Sequence, residues 1–93
     1  MNDKKLLSLQ VEAYKAAQDY HGAFAIFLQA RHEESPAGEE LATVKASAAR
    51  YSLTLEKVEQ HLVEANNDPE ELSRIRATKK LIELEINAAE RSG

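Results

Sequence analysis

The residues best suited to metal chemistry in this chain are its three histidines, His21, His32 and His61, because neutral imidazole is a common metal ligand. A zinc-protease helix needs two histidines four residues apart, and a carboxylate-bridged iron bundle needs Glu three residues before His. The positions three residues before these histidines hold Gln18, Gln29 and Val58. The sequence therefore predicts no metal and no other cofactor. His21 falls on an apolar face, where we expect it to be packed among apolar side chains.

Catalytic arrangements are also missing from the sequence. There is no cysteine to supply a thiolate, and none of the serines stands in a nucleophile elbow. The carboxylates share helical spacing with Lys and Arg, which is typical of a solvated face. The isolated glycines Gly22, Gly38 and Gly93 cannot form a phosphate-binding loop, although Gly22 inside a helix predicts close approach of another helix. We therefore predict that the protein is not an enzyme.

One basic cluster could contact nucleic acid. Arg74, Arg76, Lys79 and Lys80 lie together near the start of the last predicted helix. Acidic residues flank this cluster, no aromatic residue accompanies it, and the whole chain has a formal net charge of −4, which does not favour attraction to a phosphate backbone. A small regulator that contacts nucleic acid is therefore the alternative hypothesis, and a solvated face is the preferred one.

The composition indicates the class of fold that must position these residues. The chain has 93 residues, of which 43% are hydrophobic and 30% charged, with only 3 Gly and 2 Pro. This profile is typical of a foldable helical chain of one domain, here residues 1–93. The longest apolar run, residues 23–28, is far shorter than the ~20 residues that cross a bilayer. No secretory leader is visible, so we expect a cytoplasmic protein without a membrane partner.

The two prolines predict where helices begin. Pro36 follows Ser35 and Pro69 follows Asp68, and a capping residue followed by proline is the pattern expected at a helix start. Asn66 and Asn67 end the preceding helix in this interpretation. We therefore predict an all-α fold with helices over residues 3–33, 36–66 and 69–90. Their short connections predict an antiparallel three-helix bundle.

Apolar residues of the middle helix repeat at alternating spacings of three and four, which is the pattern of a coiled-coil seam. The seam consists of Leu41, Val44, Ala48, Tyr51, Leu55, Val58, Leu62 and Ala65. It favours one continuous helix, with a break near Thr54 as the alternative, because a short hydroxylated side chain competes for backbone hydrogen bonds.

The outer helices carry more apolar surface than one three-helix core requires. The first helix has two adjacent seams, one of Leu7, Tyr14, Ala17, His21, Phe24 and Leu28, the other of Leu6, Leu9, Ala13, Ala16, Tyr20, Ala23, Phe27 and Ala30. The third helix has one stripe of Leu72, Ile75, Ile82, Ile86 and Ala89 and, roughly 140° away, another of Ala77, Leu81, Leu84 and Ala88. The two seams of the first helix together cover more of its surface than one neighbouring helix can bury, so we expect the first helix to contact more than one neighbour.

This surplus predicts a function in protein–protein interaction. We expect a non-catalytic adaptor, chaperone or inhibitor whose partner is another protein or a second copy, with a homodimer of six helices as the preferred assembly. The predicted interface consists of Phe24, Ile26, Phe27, Ala77, Leu81 and Leu84. In the alternative interpretation the helices cross so that one chain buries part of this surface itself. The build is similar to that of secretion chaperones, adaptor proteins and small phage-encoded inhibitors, although no motif is shared.

Overall fold

The computed structural model describes residues 4–33, 36–65 and 68–92. Three α-helices occupy these ranges: α1 spans Lys4–His32, α2 spans Gly38–Glu64 and α3 spans Pro69–Ser92. No strand occurs within the described ranges, which confirms the predicted all-α class. The helices lie side by side in an elongated bundle that measures 52 × 20 × 15 Å between Cα atoms.

The start of α3 agrees with the sequence prediction. Pro69 is its first residue, and the backbone N–H of Glu71 donates to Oδ1 of Asp68 at 3.2 Å, which satisfies one of the unpaired donors of the first turn. Asp68 adopts a positive φ of 43°, a conformation that Asp tolerates better than most residues. The residues predicted to end the preceding helix, Asn66 and Asn67, lie outside the described part of the chain.

The prediction for the start of α2 is wrong, because Pro36 is not its first helical residue. The helix begins at Gly38, and Ala37 occupies the N-cap position without a side-chain hydrogen bond. Ala37 packs against the hydrophobic core, and its carbonyl accepts the N–H of Leu41 at 2.9 Å. The residue before the observed start of α2 is thus one that packs against the core. The predicted cap, Ser35, lies outside the described residues.

Consecutive helices run in opposite directions. Ile26, near the end of α1, lies beside Glu39 and Glu40 at the start of α2. Lys45, near the start of α2, lies 3.1 Å from Glu90, near the end of α3. Short connections place each helix antiparallel to its predecessor, so α1 and α3 point the same way.

The predicted seam of α2 forms the centre of the core. Its members Val44, Ala48, Leu55, Val58 and Leu62 are buried. The helix continues through Thr54, whose buried hydroxyl donates to the carbonyl oxygen of Tyr51 at 2.7 Å. This local hydrogen bond satisfies the hydroxyl within the helix, so the alternative of a break is not observed.

Both outer helices pack on α2 and stay apart from each other. α1 contributes Ala13, Ala16, Tyr20 and Phe27 to the buried residues, and α3 contributes Ile75, Ile82 and Ala89. No Cα atoms of α1 and α3 come within 8 Å in the described ranges. A groove therefore separates the two outer helices, with α2 as its floor.

Gly22 does not lie close to another helix, although the sequence predicts such a contact. A Cβ atom built on Gly22 meets no heavy atom within 4 Å in the described structure. No other helix of the chain approaches the backbone there, and the prediction of a close helix contact at this glycine is wrong for the single chain.

Candidate interaction surface

The groove between α1 and α3 is the first part of the candidate surface. It encloses about 300 Å³ and is lined by Gln10, Ala13, Tyr14, Ala17, Tyr51, Leu55, Val58, Glu71 and Ile75. Further along, the hydroxyl of Tyr20 donates to Oε1 of Glu85 at 3.0 Å, which links α1 to α3 across the groove. The lining is mostly apolar, because core residues of α2 form the floor where the outer helices do not cover it.

Two tyrosines stay neutral beside this groove. Burial, together with the hydrogen bond to Glu85, raises the pKa of Tyr20 well above its ordinary range. Burial and the negative charge of Glu85 also raise the pKa of Tyr51. The rings of Tyr20 and Tyr51 lie 5.9 Å apart. Both shifts favour the protonated phenol, so the tyrosines act here as packing and hydrogen-bonding groups at neutral pH.

An exposed apolar stripe runs along α1 beside the groove. Leu7, Tyr14 and Leu28 are each more than half exposed, and they belong to the first of the two predicted seams. Tyr14 lies about 120° round the helix from the buried Tyr20 at 3.6 residues per turn. Ala17, which lines the groove, lies between them. The stripe therefore points outward along the groove, on the side away from α2.

The second stripe of α3 is exposed as well. Leu81 and Leu84 are each more than half exposed. They lie about 100° and 160° round the helix from the buried Ile82. Glu85, which reaches Tyr20 of α1, lies between Ile82 and Leu81. The stripe is therefore displaced from the core toward the side of α3 that faces the groove.

We call these two stripes together the α1/α3 face. It consists of Leu7, Tyr14, Ala17, His21, Phe24 and Leu28 on α1 and of Ala77, Leu81, Leu84 and Ala88 on α3. Of the residues predicted as an interface, Ala77, Leu81 and Leu84 are exposed on this face and Phe24 is half-buried at its edge. Leu7, Tyr14 and Leu28 were not among the predicted interface residues, although their seam was visible in the sequence.

Two predicted interface residues lie elsewhere. Phe27 is only 1% exposed and belongs to the chain's own core, because its seam is the one that α1 packs against α2. Ile26 is exposed, but it lies beside Glu39 and Glu40 at the start of α2. That position is about 160° round α1 from Phe24. The structure therefore does not bring Ile26 and Phe27 together with the stripe of α3.

The basic residues of α3 do not form one free positive patch. Lys80 lies 3.8 Å from Glu83 and Arg74 lies 2.9 Å from Glu71. The Arg76 and Lys79 side chains bind the same carboxylate of α2, Glu59, at 2.7 and 3.1 Å. These two contacts lower the pKa of Glu59. Arg76, Lys79 and Lys80 line a second groove of about 610 Å³ between α2 and α3, and Arg74 is not among its lining residues.

The histidines are distributed along the surface. His21 is exposed, and its ring packs at the surface against those of Tyr20 and Tyr51, at 5.4 and 6.4 Å between ring centroids. The predicted packing is therefore with aromatic rings at the surface and not within the core. Within the described residues, no group of three or more His, Cys, Asp or Glu side chains is placed to hold a metal ion.

No described helix is both long enough and apolar enough to span a bilayer.

Comparison of the chain with protein-family models, with curated proteins and with solved structures gives no match. The residues of the α1/α3 face and the helices that carry them are therefore the features of this chain from which a function can be inferred.

Proposed function

We propose that this protein is a non-catalytic interaction module, an adaptor, chaperone or inhibitor, that acts through its α1/α3 face and associates with a second copy of itself. The observation that carries the proposal is the exposure of five large apolar side chains on this one face: Leu7, Tyr14, Leu28, Leu81 and Leu84. Large apolar side chains that share one exposed face are a feature of interaction sites in proteins.

The energetic reason is that the single chain leaves the apolar side chains of this face uncovered. A domain of this size buries a smaller fraction of its surface than a large one does, so its own core supplies limited stability. Complete burial of one leucine side chain contributes ~1.5–3 kcal/mol. A second chain that covers several of these residues at once would therefore supply stability that the single chain lacks. We also place the module in the cytoplasm, in keeping with a chain free of cysteine.

Sedimentation of the wild-type chain at micromolar concentration tests the proposal, with an expected mass of about twice 10.4 kDa. Leu81→Glu should shift the protein to monomer, because a charge in an apolar interface loses its hydration. Leu53→Glu is the matched control: Leu53 is 53% exposed and Leu81 54%, but Leu53 lies on the side of α2 opposite the core. A wild-type chain that stays monomeric at high concentration would contradict self-association.

We do not extend the proposal to nucleic acid, because each of the four candidate cations already has a carboxylate within 4 Å. A titration of the protein with duplex DNA at low salt separates the two functions, since binding through phosphate contacts weakens steeply with salt. We expect no binding even at low salt, and salt-sensitive binding that is weakened by Arg76→Glu would favour the alternative.

A further inference from the structure

We infer that two copies of this chain bind face to face about a two-fold axis that crosses the α1/α3 face near Ala17 and between Leu81 and Leu84, so that each α1 packs antiparallel on the α1 of the second copy. This inference rests on the proposed function, since it specifies how the second copy binds the same face. It is carried by the symmetry of the two exposed stripes and by their relative level in the bundle.

Four members of the α1 stripe are arranged symmetrically about one point of the helix. Leu7 and Leu28 lie at equal distances from a point between residues 17 and 18. Tyr14 and His21 lie at equal, shorter distances from the same point. When the helix is rotated by 180° about an axis through this point, leucine falls opposite leucine and ring falls opposite ring. The two side chains next to the axis are Ala17 and Gln18. The small Ala17 permits close approach of the two helices on the side of the groove.

The stripe of α3 has the same property. Ala77 and Ala88 lie at equal distances from a point between residues 82 and 83, and Leu81 and Leu84 lie at equal, shorter distances from it. A rotation about this point therefore places each leucine of the stripe opposite the other leucine of the second copy.

The two midpoints lie at the same level of the bundle. The hydrogen bond of Tyr20 to Glu85 pairs positions that are 65 residues apart in the sequence. The two midpoints are separated by the same 65 residues. Because α1 and α3 point the same way, one axis perpendicular to both helices passes through both midpoints. A single two-fold rotation therefore serves both stripes at once, which a face for an unrelated partner would not require.

The two stripes also point in the same direction. The α1 stripe is centred about 110° from the buried Tyr20 and the α3 stripe about 130° from the buried Ile82, and each is turned toward the groove. The face spans about 32 Å from Leu7 to Leu28 at 1.5 Å per residue. The bundle is 20 Å across. This whole side of the bundle therefore projects an area on the order of 600 Å², which is at the lower end of the surface that each partner buries in a specific interface. The face is therefore large enough to hold a second copy.

Chemical cross-linking tests this geometry without background, because the chain contains no cysteine. A short bis-maleimide should cross-link the Ala17→Cys variant to its second copy, since the helix axes at the two-fold lie ~8–10 Å apart. Leu7→Cys alone should not cross-link. The double variant Leu7→Cys, Leu28→Cys should cross-link, because the introduced thiol at position 7 then faces the one at position 28 of the second copy. Leu53→Cys, on the opposite side of α2, is the control: its exposed thiol should react with the reagent, but it should not be cross-linked to the second copy.

Spin labels on the Leu7→Cys variant give an independent distance, which we expect to be about 30–35 Å between copies from the helical rise. If Leu7→Cys cross-links to itself and its labels lie close together, the helices pair in parallel, and the inference is overturned while self-association stands. Cross-linking through Leu53→Cys in a dimer would overturn it as well. A wild-type chain without a dimer would overturn both the inference and the proposed function.

Discussion

Leu55 is the residue whose truncation gives the most direct test of the packing described above. It lies in the buried seam of α2 with 7% of its surface exposed, and it also forms part of the floor of the groove between α1 and α3. Leu55→Ala removes apolar atoms that contact the core and leaves a space that neighbouring side chains fill only partly.

The expected loss in the free energy of unfolding depends on the burial of Leu55 and on its position beside the groove. Leu→Ala substitutions in cores cost ~2–5 kcal/mol, and the higher values belong to sites that leave an enclosed cavity. The space left at Leu55 would open into the groove, so we expect a value near the lower end, about 2–3 kcal/mol. For a domain of this length each kcal/mol lowers the Tm by ~4–8 °C. The expected decrease is therefore about 8–24 °C.

Urea denaturation followed by circular dichroism measures this difference in unfolding free energy. The measurements should be made at one protein concentration, because association contributes to apparent stability. Leu53→Ala is the control, since the same atoms are removed two residues earlier from a side chain that is 53% exposed. We expect the control to change stability by less than ~0.5 kcal/mol. Equal effects of the two substitutions would refute the assignment of the α2 seam to the core.

Three further predictions concern titration and backbone. The raised pKa of Tyr20 means that the folded state favours the neutral phenol. The contribution of Tyr20 to the free energy of unfolding is therefore complete below pH ~10 and is lost as the pH rises through the higher pKa of the folded state. Urea melts between pH ~8 and ~11 should show the decline, and Tyr20→Phe should reduce it. The lowered pKa of Glu59 has the opposite sign, so its contribution is present above pH ~4.3 and is lost as the pH falls. Glu59→Gln should therefore flatten the acid limb of a stability–pH curve and cost less than ~1 kcal/mol at neutral pH, since Arg76 is largely exposed. Gly22→Ala should increase the free energy of unfolding by up to ~1 kcal/mol and thereby raise the Tm, because alanine favours a helix and the new Cβ meets no neighbour. A lower Tm would indicate that another chain packs there.

Local signals in the sequence predict much of the fold. The heptad spacing of α2 identifies the buried residues Val44, Leu55 and Leu62, because a helix that packs along one side must repeat its apolar residues in this way. Asp68 and Pro69 identify the start of α3, since a capped first turn depends on neighbouring residues alone. The same reasoning is wrong at Pro36, where α2 starts two residues later and Ala37 packs against the core.

The candidate surface could be predicted only in part. Periodicity shows that α1 has two apolar seams, but it does not show which of them packs against α2. The structure assigns that role to the seam of Tyr20 and Phe27, so Phe27 becomes a core residue and Tyr14 an exposed one. The separation of α1 from α3 is set by how both helices pack on α2. Such a relation between distant segments has no local signal in the sequence.

Only α2 packs along both of the other helices in the described ranges, and this arrangement has a consequence for cooperativity. α1 and α2 pack together along more of their length than α2 and α3 do. Opening of α3 breaks its contacts with α2 and the hydrogen bond between Tyr20 and Glu85, and it leaves the helical hairpin of α1 and α2 paired. Regions with fewer contacts open at lower free energy than the whole domain does. Backbone amides in the middle of α3 should therefore exchange with deuterium before those in the middle of α2, and association through the α1/α3 face should slow the exchange of α3 most.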